Sequence, residues 1–337
     1  MTGRALHVIS AGPGVTVQDQ GRPGYLDRGL SRGGAADTLA VAEGAALLGQ
    51  NVAFALLEMA GMGGTFRAGC DLRIALTGAP MRASIDSAPV VWNASYLLPA
   101  GSELEIGAAN SGVYGYLHVG GGVETPLVLG SRSAHLAAGL GQPVTAGTVL
   151  PVGPDTGGTI GLTLDTTPRF SGGVIRILRS LQTDFFPQAD LDRFESTQFL
   201  RDARANRMGV KLTCEGAGFH VEGGLSILSE VIVPGDIQVT GDGTPFVLLP
   251  ECQTTGGYPR IGTVLPSDLP KVAQAGPGAP LSFKFIQTDV ALEAHRRYAR
   301  QIKDLPRTVR ALVRDPHDIP DLLSYQLISG MIADGDT

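Results

Sequence analysis

With 337 residues, of which 43% are hydrophobic and 17% charged, the chain has apolar material for a sizeable core and room for two domains. A formal net charge of −6, with no run of Lys or Arg before the C-terminal tail, excludes nucleic acid as a main partner. Three widely spaced cysteines, without a CxxC or a His at ligand spacing, argue against a metal site and suit a reducing compartment.

The N-terminus lacks an apolar signal region, and no stretch approaches the roughly 18 apolar residues of a membrane span. The expectation is a cytoplasmic protein with no membrane partner. Gly and Pro, 47 and 22 residues, fall between short apolar runs, as in a chain of many strands joined by tight turns.

In chain order, Leu6–Ile9 and Val15–Gln18 read as strands. Between them and the next strands, Ala35–Leu48 reads as a helix, with Leu39, Ala42, Ala46 and Leu47 on one face and Gly49 as its stop. Strands are then expected at Leu72–Leu76, Ala83–Ile85, Ser95–Leu98, Leu104–Ile106 and Val113–Val119. Pro151–Pro168 has the composition of a linker. The second half offers Val174–Leu178, a helix over Gln188–Phe199, and strands at Gly209–Leu212, Ile237–Val239, Phe246–Leu249, Ile261–Val264 and Leu281–Phe285. Val290–Leu305 and Pro306–Val313 read as charged amphipathic helices. The fold class is therefore mainly β with a few helices: a β unit over 1–155, a second over 156–287, and a helical C-terminal extension over 288–337.

The densest polar cluster is Glu251-Cys252-Gln253-Thr254-Thr255-Gly256-Gly257-Tyr258-Pro259-Arg260, between two apolar strands. Its glycines allow backbone N–H groups to approach an anion or a carbonyl oxygen closely. Gln253, Thr254 and Thr255 supply neutral donors and acceptors, Arg260 a cation, and Glu251 an acid or base. The plain alternative is a long polar hairpin loop. Arg132, between Ser131 and Ser133, could clamp a carboxylate or phosphate, or be a solvated turn residue. Arg207, before Gly209, has the same standing. Asp19 and Arg22 read as a surface pair across a turn, which is worth little. Gly61–Gly64 meets neither a Walker A nor a dinucleotide spacing. Cys252 has no base assignable to it and reads as inert.

Taken in order, these segments are more specific than any one alone. Val17-Gln18-Asp19…Gly21-Arg22-Pro23-Gly24-Tyr25, Leu129-Gly130-Ser131-Arg132-Ser133, Asn206-Arg207-Met208-Gly209, Val233-Pro234-Gly235…Ile237-Gln238-Val239 and, above all, Gln253-Thr-Thr-Gly-Gly-Tyr-Pro-Arg260 carry a family resemblance. The chain resembles the allophanate hydrolase subunit 2 family, also called KipA-like or biotin-dependent carboxyltransferase, over about its first 285 residues.

The resemblance implies two cyclophilin-like β-barrel units and one of three roles. The first is the C subunit of an ATP-dependent 5-oxoprolinase, opening 5-oxo-L-proline to L-glutamate. The second is the carboxyltransferase part of a urea carboxylase, with biotin on a separate carrier because this chain has no Met-Lys dipeptide. The third is a regulator that binds a kinase inhibitor. It further implies a subunit 1 (KipI-like) partner, a LamB/YcsF-type partner in the first case, and a small-molecule amide as substrate.

On this basis Glu251, Gln253, Thr254, Thr255 and Arg260 are the catalytic candidates. Arg132, Ser133, Arg207, Gln238, Gly256, Gly257 and Tyr258 are candidates for binding substrate or nucleotide. The chain departs from the family pattern at Glu251-Cys252, where Asp-Arg is usual, and at Ala45-Ala46, where Asn-Arg is usual. Both changes fall at polar positions, as in a divergent paralogue with another substrate or with none.

Overall fold

The computed structural model describes residues 3–221 and 228–313, so the expected tail beyond residue 313 lies outside the described residues. The first β unit is two antiparallel sheets face to face. One sheet runs in the order Val149–Pro151, Ala5–Ala11, Met62–Ala68, Glu103–Ala109, Met81–Ile85, Ala88–Val90. The other runs Thr16–Gln18, Leu56–Ala60, Tyr114–Val119, Leu72–Gly78, Ala94–Leu98, Leu162–Thr163, Arg310–Ala311. Alternation decides which side chains meet: Leu6, Val8, Phe66 and Leu104 from one sheet pack against Leu57, Ile74, Leu76 and Leu117 from the other.

Leu72–Gly78 and Tyr114–Val119 are buried along their whole length because helix α1 (Thr38–Leu48) covers the outer face of Leu72–Gly78. Helix α1 starts three residues later than expected from Ala35. Asp37 is its N-cap, its Oδ1 accepting from the N–H groups of Leu39 and Ala40 (3.1 Å each), and Gly49 ends it at φ 59°.

The second unit is a closed barrel of seven strands. Its order is Gly173–Leu178, Arg260–Val264, Asp236–Val239, Pro245–Leu248, Gly209–Thr213, Phe199–Arg201 and Pro280–Phe285, and the last closes on the first in parallel. Phe194, Phe199, Phe219 and Phe283 stack in the interior with ring centroids 5.0–5.8 Å apart. Phe194 comes from α2 (Gln188–Ser196), which ends short of the expected Phe199 because that residue already belongs to the barrel. A short α3 (Leu269–Gln274) precedes the closing strand. The mainly β fold expected from the sequence is therefore what the chain forms.

The units are stapled together by buried polar groups. The Gln274 side chain accepts from the N–H groups of Val113 (3.0 Å) and Tyr114 (2.9 Å) and donates to Tyr114 O (2.8 Å) and Asp37 Oδ2 (2.9 Å). Arg169 donates to Asp37 and Glu43 at 2.6 Å each. Burial disfavours the Arg169 charge, but the two carboxylates outweigh it and hold its pKa above the ordinary value.

Helix α4 (Thr288–Thr308) bridges both units. Its Tyr298, Ile302 and Leu305 pack on Leu39 and Ala42 of α1, while Ala291 and Ala294 pack on Leu265 beside the barrel. The stretch after Pro306, expected as helix, leaves it at Thr308 and adds the strand Arg310–Ala311 to the first unit, pairing with Leu162–Thr163. The expected linker thus contains a strand.

Candidate functional site

A buried charge cluster lies where the two units meet. Glu58 stands in the apolar strand Leu56–Ala60, and Arg207 in the turn before Gly209–Thr213. Arg207 ion-pairs with Glu58, donates through Nε to Glu251 Oε1 (2.5 Å) and through Nη2 to Gly34 O (2.5 Å). Glu58 Oε2 also accepts from the Ala36 N–H (2.7 Å) and the Tyr116 hydroxyl (2.8 Å). Desolvation is the largest influence on Arg207, yet the two carboxylates prevail and raise its pKa.

On the far side of Glu251, Oε2 accepts from the Ala137 N–H (3.2 Å) and lies 4.0 Å from His135 Nδ1. The other ring nitrogen of His135 is 2.8 Å from Ser31 Oγ, and Nδ1 has no hydrogen-bond partner among the described residues. Burial lowers the His135 pKa, against the opposing pull of Glu251, so the ring is neutral at neutral pH.

The polar loop is divided among several surroundings. Glu251 joins Arg207 as described. Gln253 is exposed; Thr254 is buried and its carbonyl accepts from the Ile232 N–H (3.0 Å). Thr255–Gly256 pairs with Glu230–Val231 as a small two-stranded sheet. Gly256 lies against Gln238: a Cβ there would stand 2.4 Å from Gln238 Nε2, so a side chain would strike the amide. Gly257 follows, half-buried.

Gln238, Cys252, Gln253 and Tyr258 line a cavity of about 270 Å³, and Gln238 Nε2 is buried there without a partner among the described residues. Burial, helped by Asp236, pushes the Cys252 thiol up to about 12, so it is protonated and unreactive at neutral pH. Arg260 stands apart. It pairs with Glu230 (2.5 Å) and Asp236 (3.3 Å), and its N–H donates to Gln182 Oε1 (2.9 Å).

Arg132 and Ser133 belong to another network. The carboxylate of Asp19 accepts from Ser131 Oγ (2.6 Å), Ser133 Oγ (2.5 Å), and the N–H groups of Gly21 (2.8 Å) and Arg132 (2.7 Å). The Arg132 side chain turns to the Thr125 carbonyl and stands 3.9 Å from Glu124. Asp19 and Arg22 are not the exposed pair expected from composition. Arg22 is 1% exposed and donates to Ser133 O (2.5 Å) and Val128 O (3.3 Å), because the 128–135 segment folds over the turn. Gly21 and Gly34 bring the 19–21 and 32–34 segments together: at φ 75° and 84°, a Cβ on Gly21 would come within 2.5 Å of Arg32 O, and one on Gly34 within 2.8 Å of Gly21 N.

Two cavities therefore meet at the Asn206–Met208 turn, the 270 Å³ one and a cleft of about 560 Å³ between the units, lined by Tyr114, Arg201, Arg207 and Glu251. The Tyr114 hydroxyl is pushed up to about 12 by burial and then by Glu58, so it is protonated at neutral pH. Sequence reasoning missed Glu58, His135, Ser31 and Arg201. For Glu58 a signal existed, a lone carboxylate in an otherwise apolar strand. Among the described residues no group of three or more His, Cys, Asp or Glu could hold a metal ion, and no helix is long and apolar enough to cross a membrane.

Comparison with known proteins fits this architecture. The chain is 32% identical over 305 residues to the C subunit of 5-oxoprolinase from Escherichia coli, covering 89% of this chain and 97% of that protein. It is 26% identical over 327 residues to urea amidolyase of Lachancea kluyveri, covering 85% of this chain and 17% of that protein. Its fold superposes on the crystal structure of the K. lactis urea amidolyase with a TM-score of 0.81 at 22% identity, over 93% of this chain and 21% of that one. Residues 28–285 match the family model described as carboxyltransferase domain, subdomain A and B, and the chain belongs to that family.

Proposed function

We propose that this chain is one component of an ATP-dependent complex that opens 5-oxo-L-proline to L-glutamate, working beside a subunit 1 (KipI-like) partner and a LamB/YcsF-type partner. The observation that carries this reading is the match to a 5-oxoprolinase C subunit over nearly the whole of that protein, whereas the urea amidolyase relative is matched over 17% of its length. The lactam is stable, so ATP phosphorylates the amide oxygen and releases ADP; water adds to the activated carbon, the adduct breaks the ring C–N bond to leave an acyl phosphate, and a second water releases phosphate and L-glutamate. A site for such a step needs hydrogen-bond donors aimed at the developing charge.

Within this chain the free donor Gln238 Nε2, with Gln253 and Tyr258 around the same cavity, is suited to hold the amide. The arginines expected to face a nucleotide are engaged: Arg132 by the Thr125 carbonyl, Arg207 by Glu58 and Glu251, Arg260 by Glu230 and Asp236. We therefore assign the triphosphate to the partner proteins and the amide to this chain.

The test is ATP-dependent glutamate release from 5-oxo-L-proline by the co-expressed complex, with and without this chain. Release that depends on the chain, and falls on Gln238→Ala, supports the reading. An intact complex without release rejects it and favours the second reading, a biotin-dependent carboxyltransferase acting on urea-like amides. That alternative rests on the family match and the shared fold. Its assay is carboxyl transfer from a biotinylated carrier.

A further inference from the structure

The cleft between the units holds a charge that the described residues leave unanswered. Arg201 ends the strand Phe199–Arg201, is 5% exposed, and lines the 560 Å³ cleft. Its backbone is tied into the barrel, the N–H donating to Ala279 O (3.1 Å) and the carbonyl accepting from the Gly278 N–H (2.8 Å). Among the described residues its side-chain Nε has no hydrogen-bond partner. The adjacent carboxylate of Asp202 is taken by Arg204 at 2.9 Å, and the cleft's other charges, Arg207 and Glu251, are paired with each other.

A guanidinium removed from water without compensating bonds is strongly disfavoured, so one in a native structure calls for a partner that answers it. Burial lowers the Arg201 pKa, with Tyr114 and Asp202 pulling the other way, and the group stays charged at neutral pH.

We propose that Arg201 anchors the carboxylate of a small anionic ligand in the inter-unit cleft. The planar guanidinium, presented to the cleft through its two terminal nitrogens, matches the two oxygens of a carboxylate. Gly14, Ala60, Gly61, Ala203 and Pro277 around it leave room for a compact carbon skeleton and offer no further charge. Because Arg207 is held by Glu58 and Glu251, a monocarboxylate fits this cleft and a polyphosphate does not. The assignment goes beyond the 5-oxoproline reading, since any compact monocarboxylate satisfies it.

The experiment is thermal unfolding and titration calorimetry of the full chain with 5-oxo-L-proline, with 2-pyrrolidinone (the same lactam without its carboxylate) and with acetate. A carboxylate is expected to raise the wild-type Tm while 2-pyrrolidinone does not, and Arg201→Met is expected to weaken binding by about 10- to 100-fold. Without ligand, Arg201→Met should melt at or above the wild type, because it removes an unanswered buried cation, so lost binding cannot be ascribed to lost fold. A response to acetate but not to 5-oxo-L-proline upholds the anion site and removes that substrate from it. Equal responses in both proteins, no response to either carboxylate, or an Arg201→Met variant that melts well below the wild type overturns the proposal.

Discussion

His118 shows how one side chain can set the pH range of the fold. Its ring is buried, Nε2 lies 2.9 Å from Thr77 Oγ1, and α1 rests on it at Gly44, where a Cβ would come within 2.2 Å of Nε2. Burial lowers its pKa to about 3, well below the unfolded value near 6.5. The unfolded chain then binds the extra proton first, so stability is full above about pH 6.5 and falls as pH drops toward 3. Thermal unfolding across pH 3–7 should show a shallower loss for His118→Gln than for the wild type; identical slopes would show that the ring is not the group responsible. At this scale the sequence was a partial guide. Arg207 and Glu251 were legible as polar residues flanking strands, but Arg22 and Asp19 read as a solvated pair. Nothing local announces that residues 128–135, over a hundred positions away, fold across them.

Among the elements, those with strong local punctuation were readable. Helix α1 stops at Gly49 as expected, whereas its capping Asp37 went unread and the start was placed at Ala35. The strand Met62–Ala68 was not readable, since its Gly63 and Gly64 suggest a loop. Both glycines are required by close packing, a Cβ meeting Ile106 at 2.5 Å or Ser10 O at 2.2 Å. The octapeptide was correctly seen as lying between strands, but its residues serve several neighbours, because a chain crossing between a barrel and a small sheet presents successive side chains to different sides. Helix α3 matters beyond its length through Gln274. Replacing it by Ala leaves the N–H groups of Val113 and Tyr114 and one oxygen of Asp37 without that partner in a buried place. A loss of about 2–4 kcal/mol is expected in chemical denaturation, and a loss under about 1 kcal/mol would mean water replaces the amide.

For the molecule as a whole, α4 is the strap that makes the two units one body. A chain ending at Gln287 uncovers Leu39 and Ala42 on one unit and Leu265 on the other. Calorimetry of this truncation should show a lower Tm and separation into two transitions; one unshifted transition would show that Gln274 and Arg169 suffice as joints. The recurring turns suggest two β units, but the joints between the units are not legible in the sequence, since they depend on partners far apart in the chain.

The pairing of Arg310–Ala311 with Leu162–Thr163, and of Gln274 with Tyr114, has a consequence for biosynthesis. A ribosome delivers the first unit long before the residues that complete it, and the Tyr114 amide waits for a partner 160 residues downstream. During that interval the apolar surface of Ala36, Ala40, Leu56 and Tyr116, later shared with the barrel, is open to water. The first unit therefore gains its last strand and this partner only after the second half is made, and shielding of that surface is most valuable while the second half is still being translated.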